Sequence, residues 1–111
     1  VLLLGTRLTM EDGFFKNFLE ENFDIDVVVP DQYDRNTINN IIFQELCHGI
    51  TLKKSKKLFE DIIDKEIKNG VDGVVFGCTE IGTLITQDDI RVHAFDALKL
   101  HVDAALKLAI E

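Results

Sequence analysis

The chain has 111 residues, 46% of them hydrophobic, which is enough for one domain with a buried core. Its formal net charge of −8 argues against nucleic acid as a partner. No stretch approaches the roughly 20 apolar residues of a membrane span, and no signal-peptide pattern opens the chain. Its two cysteines form neither a CxxC pair nor a zinc spacing, so we expect reduced thiols in a cytoplasmic protein.

Apolar periodicity and turn residues predict alternating strands and helices along the chain. In chain order these are a strand at 1–4, a helix at about 10–21, a strand at 25–29, a helix from 34 or 36 to 49, a helix from 51 or 55 to 69, a strand at 71–76, a short helix at 80–85, a weaker strand at 90–94 and a helix at 97–110. Such alternation predicts an α/β fold with a parallel four-stranded sheet and helices on both faces.

Helix signals refine these boundaries. Thr9 is a plausible N-cap for the first helix, and Gly49 is a plausible end for the second. Residues at helical spacing predict the buried faces, namely Phe14, Phe15, Phe18 and Leu19 in the first helix and Leu58, Phe59, Ile62, Ile63 and Ile67 in the third.

A cysteine follows the most apolar strand directly. The β-branched run ends at Gly77, and Cys78, Thr79 and Glu80 come next. Open α/β folds place ligands at the carboxyl ends of their strands. A thiol there would also face a helix N-terminus, which favours the thiolate. The competing interpretation is a buried cysteine that acts as a small hydrophobe.

Five motifs in order resemble one family. They lie at residues 4–10, 29–39, 42–49, 77–81 and 95–105. Through them, nearly the whole chain resembles the C-terminal half of the aspartate/glutamate racemase family, the cofactor-independent amino-acid racemases. The resemblance implies one half of a pseudo-symmetric two-domain fold, with residues 1–111 as the C-terminal α/β half and the N-terminal half absent.

The resemblance also implies a mechanism and its residues. Each half supplies one cysteine, and the two thiols face opposite sides of the substrate Cα, without pyridoxal phosphate or metal. Cys78 would be the catalytic base and acid of this half. Thr79 would bind the α-carboxylate, and Glu80 would steer the thiol proton or contact the ammonium group.

Other residues are weaker candidates for lining the substrate site. They are Thr6 and Thr9 on another loop at the sheet end, and Cys47 as a packing or pocket-wall residue. Aspartate-specific relatives tend to carry a lysine near this position, where Cys47 and His48 stand here. The resemblance therefore favours a broad or non-acidic amino acid, such as homoserine, over aspartate alone.

The expected partners are an amino-acid substrate and the missing N-terminal half. Because inversion needs a group on each side of Cα, we expect the isolated chain to be inactive. It should expose a cleft face that normally meets the other half and that also offers a surface for homodimerisation.

Alternative functions fall into two groups. Hydantoin racemases, maleate isomerases and arylmalonate decarboxylases of the same superfamily keep the cysteine chemistry and change the substrate. A cysteine phosphatase is excluded, because no arginine stands near the sixth position after Cys78. A non-catalytic receiver-like module, with Asp31 and Asp34 as its acidic cluster, stays open. His93 is predicted at a strand edge, and His101 near Asp96, which would cap the last helix.

Overall fold

The computed structural model describes residues 1–97. Its strands are β1 (Leu2–Leu4), β2 (Gly73–Phe76) and β3 (His93–Asp96). Its α-helices are α1 (Arg7–Glu11), α2 (Gly13–Phe23), α3 (Gln32–Gln44) and α4 (Lys53–Lys68), and shorter 3-10 helices span Leu46–His48, Thr79–Thr83 and Gln87–Asp89. The strands are parallel in the order β1-β2-β3, so the predicted α/β class is confirmed.

The sheet has three strands within residues 1–97, where four were predicted. The predicted strand at 25–29 makes a single parallel bridge, between Leu2 and Val28. The Val27 amide donates to the Glu20 carboxylate at 3.2 Å, so it is not available for strand pairing. Pro30 has no amide hydrogen with which to continue the ladder of strand hydrogen bonds. The segment 25–29 therefore lies beside β1 at the edge of the sheet and pairs with it through one bridge only, within the described residues. β3 begins three residues later than the strand predicted at 90–94.

Helices cover both faces of the sheet, as predicted. On one face, Leu2, Leu4, Val74 and Phe76 pack against a cluster drawn mainly from α3 and α4. On the other face, Leu3 and Val75 pack with Leu19 of α2 and with Val27. This alternation of strand side chains between two apolar layers is typical of a sheet buried on both sides.

Two predicted core positions are wrong. Phe14 is 77% exposed and Leu58 is 44% exposed, although both belong to apolar runs. Phe59, Ile62 and Ile63 fill the core side of α4 at the spacing of one helical face, and Leu58 falls one position outside that face.

The first predicted helix is two helices with two caps. Thr6, and not Thr9, caps α1, since its hydroxyl oxygen accepts the Thr9 amide at 3.4 Å. Asp12 is extended, ends α1 and caps α2 by accepting the Phe14 amide at 2.9 Å. α3 begins earlier than predicted because Asp31 accepts the Asp34 amide. α4 begins at Lys53, inside the predicted range.

The second half of the chain also departs from the predicted helices. The predicted helix ending at Gly49 stops at Gln44, and a separate 3-10 helix leads to Gly49, whose φ is +73°. The predicted helix at 80–85 is the 3-10 helix Thr79–Thr83. Apart from Ala97, the helix predicted at 97–110 and His101 lie outside the described residues. Within residues 1–97, no helix has the length and apolar character needed to cross a bilayer.

Candidate active site

Gly77 brings β2 against β1 at the carboxyl edge of the sheet. Its amide donates to the Leu4 carbonyl at 2.6 Å. A Cβ atom at this position would lie 3.0 Å from that carbonyl oxygen and 3.0 Å from Thr9 Cγ2. Because a side chain would collide with both, glycine permits this close approach. It thereby delivers the next residue, Cys78, to the sheet edge. We call residues 77–83 the Cys78 turn.

Glu80 organises the polar groups of the Cys78 turn. The half-buried Cys78 thiol donates to Glu80 Oε2 at 2.8 Å, and the Thr79 hydroxyl donates to the same oxygen at 3.2 Å. Thr83 Oγ1 donates to the Glu80 backbone carbonyl at 2.6 Å, which ties the end of the turn to its centre. The structure thus brings together Cys78, Thr79 and Glu80, three of the residues selected from the sequence.

The expectation of a thiolate at Cys78 is wrong. Burial, followed by the hydrogen bond to Glu80, raises the pKa of the Cys78 thiol to about 11. The same contact lowers the pKa of Glu80, because its carboxylate accepts the thiol hydrogen. The helix that follows is a five-residue 3-10 segment without a side-chain cap, so its dipole does not overcome these two effects. At neutral pH the proton resides on sulfur.

An open cleft of about 240 Å³ lies beside the thiol. Its walls are mainly apolar, and the described residues that line it are Phe15, Phe76, Gly77, Cys78, Thr79, Asp96 and Ala97. A cleft with few polar groups strengthens the electrostatic interactions made inside it. The thiol therefore faces a space of the size that a small substrate group needs.

Thr6 and Thr9 lie at the neighbouring strand end. Their hydroxyl oxygens are 3.1 Å apart, and the Thr9 methyl group packs where Gly5 and Gly77 leave space. Both are partly buried. Neither is among the described residues that line the Cys78 cleft.

Cys47 occupies a different turn. It is exposed in the 3-10 helix Leu46–His48, which we call the Cys47 turn together with its flanks at residues 45–50. This turn packs against the 3-10 helix that contains Glu80, and the charge of Cys47 is a minor contributor to the raised pKa of Cys78. Cys47 does not line the 240 Å³ cleft among the described residues.

The Cys47 turn is held by a side-chain clamp. The Ser55 hydroxyl, which is 1% exposed, donates to Glu45 Oε1 at 2.5 Å. The Glu45 backbone carbonyl accepts the amides of His48 and Ile50. One residue of α4 thereby fixes the start of the turn that carries the second thiol.

Asp96 and Phe15 are among the cleft residues that were missed as site candidates from the sequence. Asp96 was assigned only to helix capping, and Phe15 only to the core. For Asp96 a usable signal existed, since it ends a strand in a predicted parallel sheet and carboxyl ends share one edge. Phe15 reaches the cleft from α2 on the other side of the sheet, which no local pattern encodes.

Comparison with known proteins gives a consistent match. The sequence model of a family described as Asp/Glu/Hydantoin racemase matches residues 1–105. A solved protein from Yersinia pestis, described as a candidate Asp/Glu racemase, is 43% identical, with a TM-score of 0.86 over 99% of this chain and 48% of that one. An aspartate racemase homologue from Pyrococcus horikoshii OT3 is 38% identical, with a TM-score of 0.80 over 99% of this chain and 48% of its own.

A more distant solved structure shares the fold. It is an aspartate racemase from Picrophilus torridus, 24% identical, with a TM-score of 0.64 over 94% of this chain and 44% of that protein. In all three comparisons this chain spans about half the length of the solved protein or less.

Proposed function

This chain belongs to the Asp/Glu/Hydantoin racemase family, and from that premise we propose that it supplies one half of a cofactor-independent amino-acid racemase. The observation that carries the proposal is the Cys78 turn. It presents a thiol, hydrogen-bonded to a carboxylate at 2.8 Å, to a cleft at the carboxyl edge of a parallel sheet. In the proposed reaction a thiolate removes the substrate Cα proton on one side, and a thiol returns a proton on the other.

With its thiol protonated, Cys78 is assigned the role of proton donor to the substrate Cα. Its raised pKa, about 11, keeps the proton on sulfur until a carbanion develops at Cα. Transfer leaves a Cys78 thiolate, and the opposite thiolate has become a thiol. The reaction in the reverse direction then starts from Cys78 as the base. Glu80 is assigned to orient the thiol, since its carboxylate accepts the S–H hydrogen.

Thr79 is the proposed carboxylate ligand. It is exposed directly beside Cys78, and its backbone amide is a donor. Its hydroxyl donates to Glu80 in the structure and becomes a donor to the substrate only on leaving that carboxylate. The Cα proton of an amino acid is weakly acidic, so the negative charge that develops on its removal needs preorganised donors. A donor one residue from the proton-transfer group satisfies this requirement at short range.

The second thiol is proposed to come from another half of the fold. Cys47 is an unsuitable second group, because it lies in its own turn and does not line the cleft among the described residues. This chain spans about half of each solved relative, which leaves a region of similar size to supply the opposite group. The isolated 111-residue chain is accordingly expected not to racemise amino acids.

The proposed substrates are amino acids of broad or non-acidic type. His48 is exposed beside Cys47, where aspartate-specific relatives tend to carry a lysine. An imidazole lacks the permanent positive charge with which a lysine ammonium group holds a side-chain carboxylate. We therefore expect homoserine to compete with aspartate and glutamate as a substrate.

Exchange of the substrate α-proton in deuterium oxide tests the proposal. The protein is assayed in a form that carries both halves of the fold, with each enantiomer of aspartate, glutamate and homoserine, and with Cys78→Ala as the matched variant. We expect exchange and racemisation of at least one amino acid, and their loss in Cys78→Ala. Exchange of hydantoins alone, isomerisation of maleate, or wild-type activity in Cys78→Ala would each reject the proposal.

A further inference from the structure

Asp96 ends β3 directly beside the active-site strand. It pairs in parallel register with Phe76, the last residue of β2, and Cys78 follows two residues later. Strand spacing of about 4.8 Å and a rise of about 3.3 Å per residue place the Cα atoms of Asp96 and Cys78 about 8 Å apart. That separation leaves room between the two side chains for one small polar group.

Both side chains belong to the same face of the sheet. Phe76 and Cys78 pack with the cluster around Leu4, and Ala94 packs there too. Because side chains alternate along a strand, Asp96 points to the face of Ala94. Asp96 and Cys78 also line the same cleft, and Asp96 is exposed at its mouth.

The acidic groups on the described part of this cleft have one sign of charge. Among the described residues that line it, Asp96 alone has a carboxylate side chain, and the Glu80 carboxylate accepts the thiol hydrogen at 2.8 Å. A cleft with negative groups and apolar walls attracts an ammonium group and repels a dianion. An amino acid has its ammonium nitrogen bonded to the carbon that must reach the Cys78 sulfur.

We propose that Asp96 is a substrate-positioning and specificity-determining residue, whose carboxylate binds the ammonium group of the substrate. The inference rests on the proposed racemase function and narrows its substrate class. It selects compounds with a free α-amino group, and it selects against dicarboxylates without one. Thr79 then holds the α-carboxylate on the other side of Cα.

The sequence also predicts a helix-capping role for Asp96. Ala97 is helical, and aspartate is a favoured N-cap. Asparagine caps a helix as well as aspartate does, yet it carries no charge. Asp96→Asn therefore removes the proposed interaction and retains the cap. Asp72→Asn is the matched control, because it removes an exposed charge near the opposite end of the same sheet.

The first test measures charge selectivity at the thiol in the 111-residue chain. Cys78 is modified with a cationic reagent, 2-aminoethyl methanethiosulfonate, and with an anionic one, 2-sulfonatoethyl methanethiosulfonate. Peptide mass spectrometry follows Cys78 separately from Cys47. We expect the ratio of cationic to anionic rates to fall about fivefold in Asp96→Asn and to stay unchanged in Asp72→Asn. An unchanged ratio in Asp96→Asn, or an equal fall in both variants, overturns the inference.

The second test separates positioning from chemistry in the form with both halves. We expect Asp96→Asn to raise KM for the amino acid about tenfold and to change kcat less than threefold. For the N-acetylated amino acid, which has no ammonium group, KM should be the same in Asp96→Asn as in the wild type. Equal KM effects on both substrates overturn the inference. Absence of exchange by the wild type rejects the proposed racemase, while the reagent ratio still decides whether Asp96 governs the charge of the cleft.

Discussion

The two cysteines of this chain occupy turns of different construction. The Cys78 turn follows a buried strand, and the glycine at residue 77 allows a backbone approach that a Cβ atom would crowd at 3.0 Å. The Cys47 turn follows a helix, and the buried Ser55 hydroxyl holds it through Glu45. Cys78 is half-buried and hydrogen-bonded to a carboxylate, and Cys47 is exposed.

The comparison teaches that placement on the sheet, rather than the presence of a thiol, defines the candidate active site. The carboxyl edge of parallel strands brings together residues that are far apart in sequence, such as Cys78 and Asp96. The Cys47 turn follows a helix rather than a strand, and Cys47 is not among the described residues that line the cleft.

The largest expected difference between the two turns is catalytic. In the form with both halves, Cys78→Ser should lower the racemisation rate by about 10²- to 10⁴-fold, because it removes the acid and base of one side. Cys47→Ser should lower it less than about tenfold, since its thiol is outside the cleft. Chiral chromatography of the reaction mixture measures both rates. Equal losses of racemisation rate in the two variants would contradict the different catalytic roles assigned to the two turns.

Gly77→Ala should give the largest stability effect. The new Cβ meets the Leu4 carbonyl oxygen and Thr9 Cγ2 at 3.0 Å, and we expect the free energy of unfolding to fall by about 1–3 kcal/mol. Urea denaturation of the 111-residue chain measures the change. Gly82→Ala is the control within the same turn, because a Cβ there has no neighbour within 4 Å. A loss as large in Gly82→Ala would show that the close approach is not the cause.

The glycine of the Cys47 turn should behave differently. Gly49 has open space around it and a φ of +73°, so Gly49→Ala strains the backbone without a collision. We expect a loss of about 1–2 kcal/mol. Gly49→Asn should recover part of it, since asparagine tolerates this conformation better. The same urea titration compares both variants, and an asparagine variant less stable than the alanine one would contradict the argument from φ.

The Ser55 clamp gives the next effect. Ser55→Ala leaves the Glu45 carboxylate without this hydrogen bond, and we expect a loss of about 1–2 kcal/mol in the free energy of unfolding. Amide exchange at His48 and Ile50 should accelerate, because both amides donate to the Glu45 carbonyl. Thr83→Ala is the counterpart in the Cys78 turn, where an exposed hydroxyl donates to a carbonyl, and should lose about 0.5 kcal/mol. Unchanged exchange in Ser55→Ala would refute the clamp.

The last prediction concerns a pH dependence. The pKa of the Cys78 thiol is about 11 in the fold, against an ordinary value of 9.0. The unfolded chain therefore loses this proton first, so the contribution to stability is complete below pH 9 and is lost as the pH rises towards 11. Urea titrations across this range should show a shallower decline in Cys78→Ala than in the wild type. If the free energy of unfolding declines equally with pH in both proteins, the thiol has the same pKa in the folded and unfolded states.

The sequence predicts the order of the elements and the position of the Cys78 turn, because both depend on local patterns. The apolar run ending at Gly77 is readable as a strand followed by a close turn. The choice of Thr6 over Thr9 as a cap is less accessible, since both threonines precede the apolar stripe of the first predicted helix, and Thr9 lies inside α1. Asp12 divides the first predicted helix through a local cap that the apolar spacing conceals.

The candidate site depends more strongly on tertiary structure. The protonation of Cys78 follows from its burial and from the side-chain direction of Glu80, neither of which the motif specifies. The position of Asp96 beside the thiol follows from the register between β2 and β3. A family motif can therefore locate a reactive residue without stating its resting charge or the carboxylate opposite it.

The bond between the Gly77 amide and the Leu4 carbonyl also constrains the order of folding. It closes a loop of roughly 70 residues, and within residues 1–97 β1 finds its strand partners only in Val28 and in the distant β2. Such long-range pairing slows folding relative to local contacts. During synthesis, β1 emerges before β2 and stays without this partner until residue 76 has left the ribosome. The thiol thus acquires its surroundings only when the two ends of this long segment have met, so an incompletely folded chain lacks an organised cysteine.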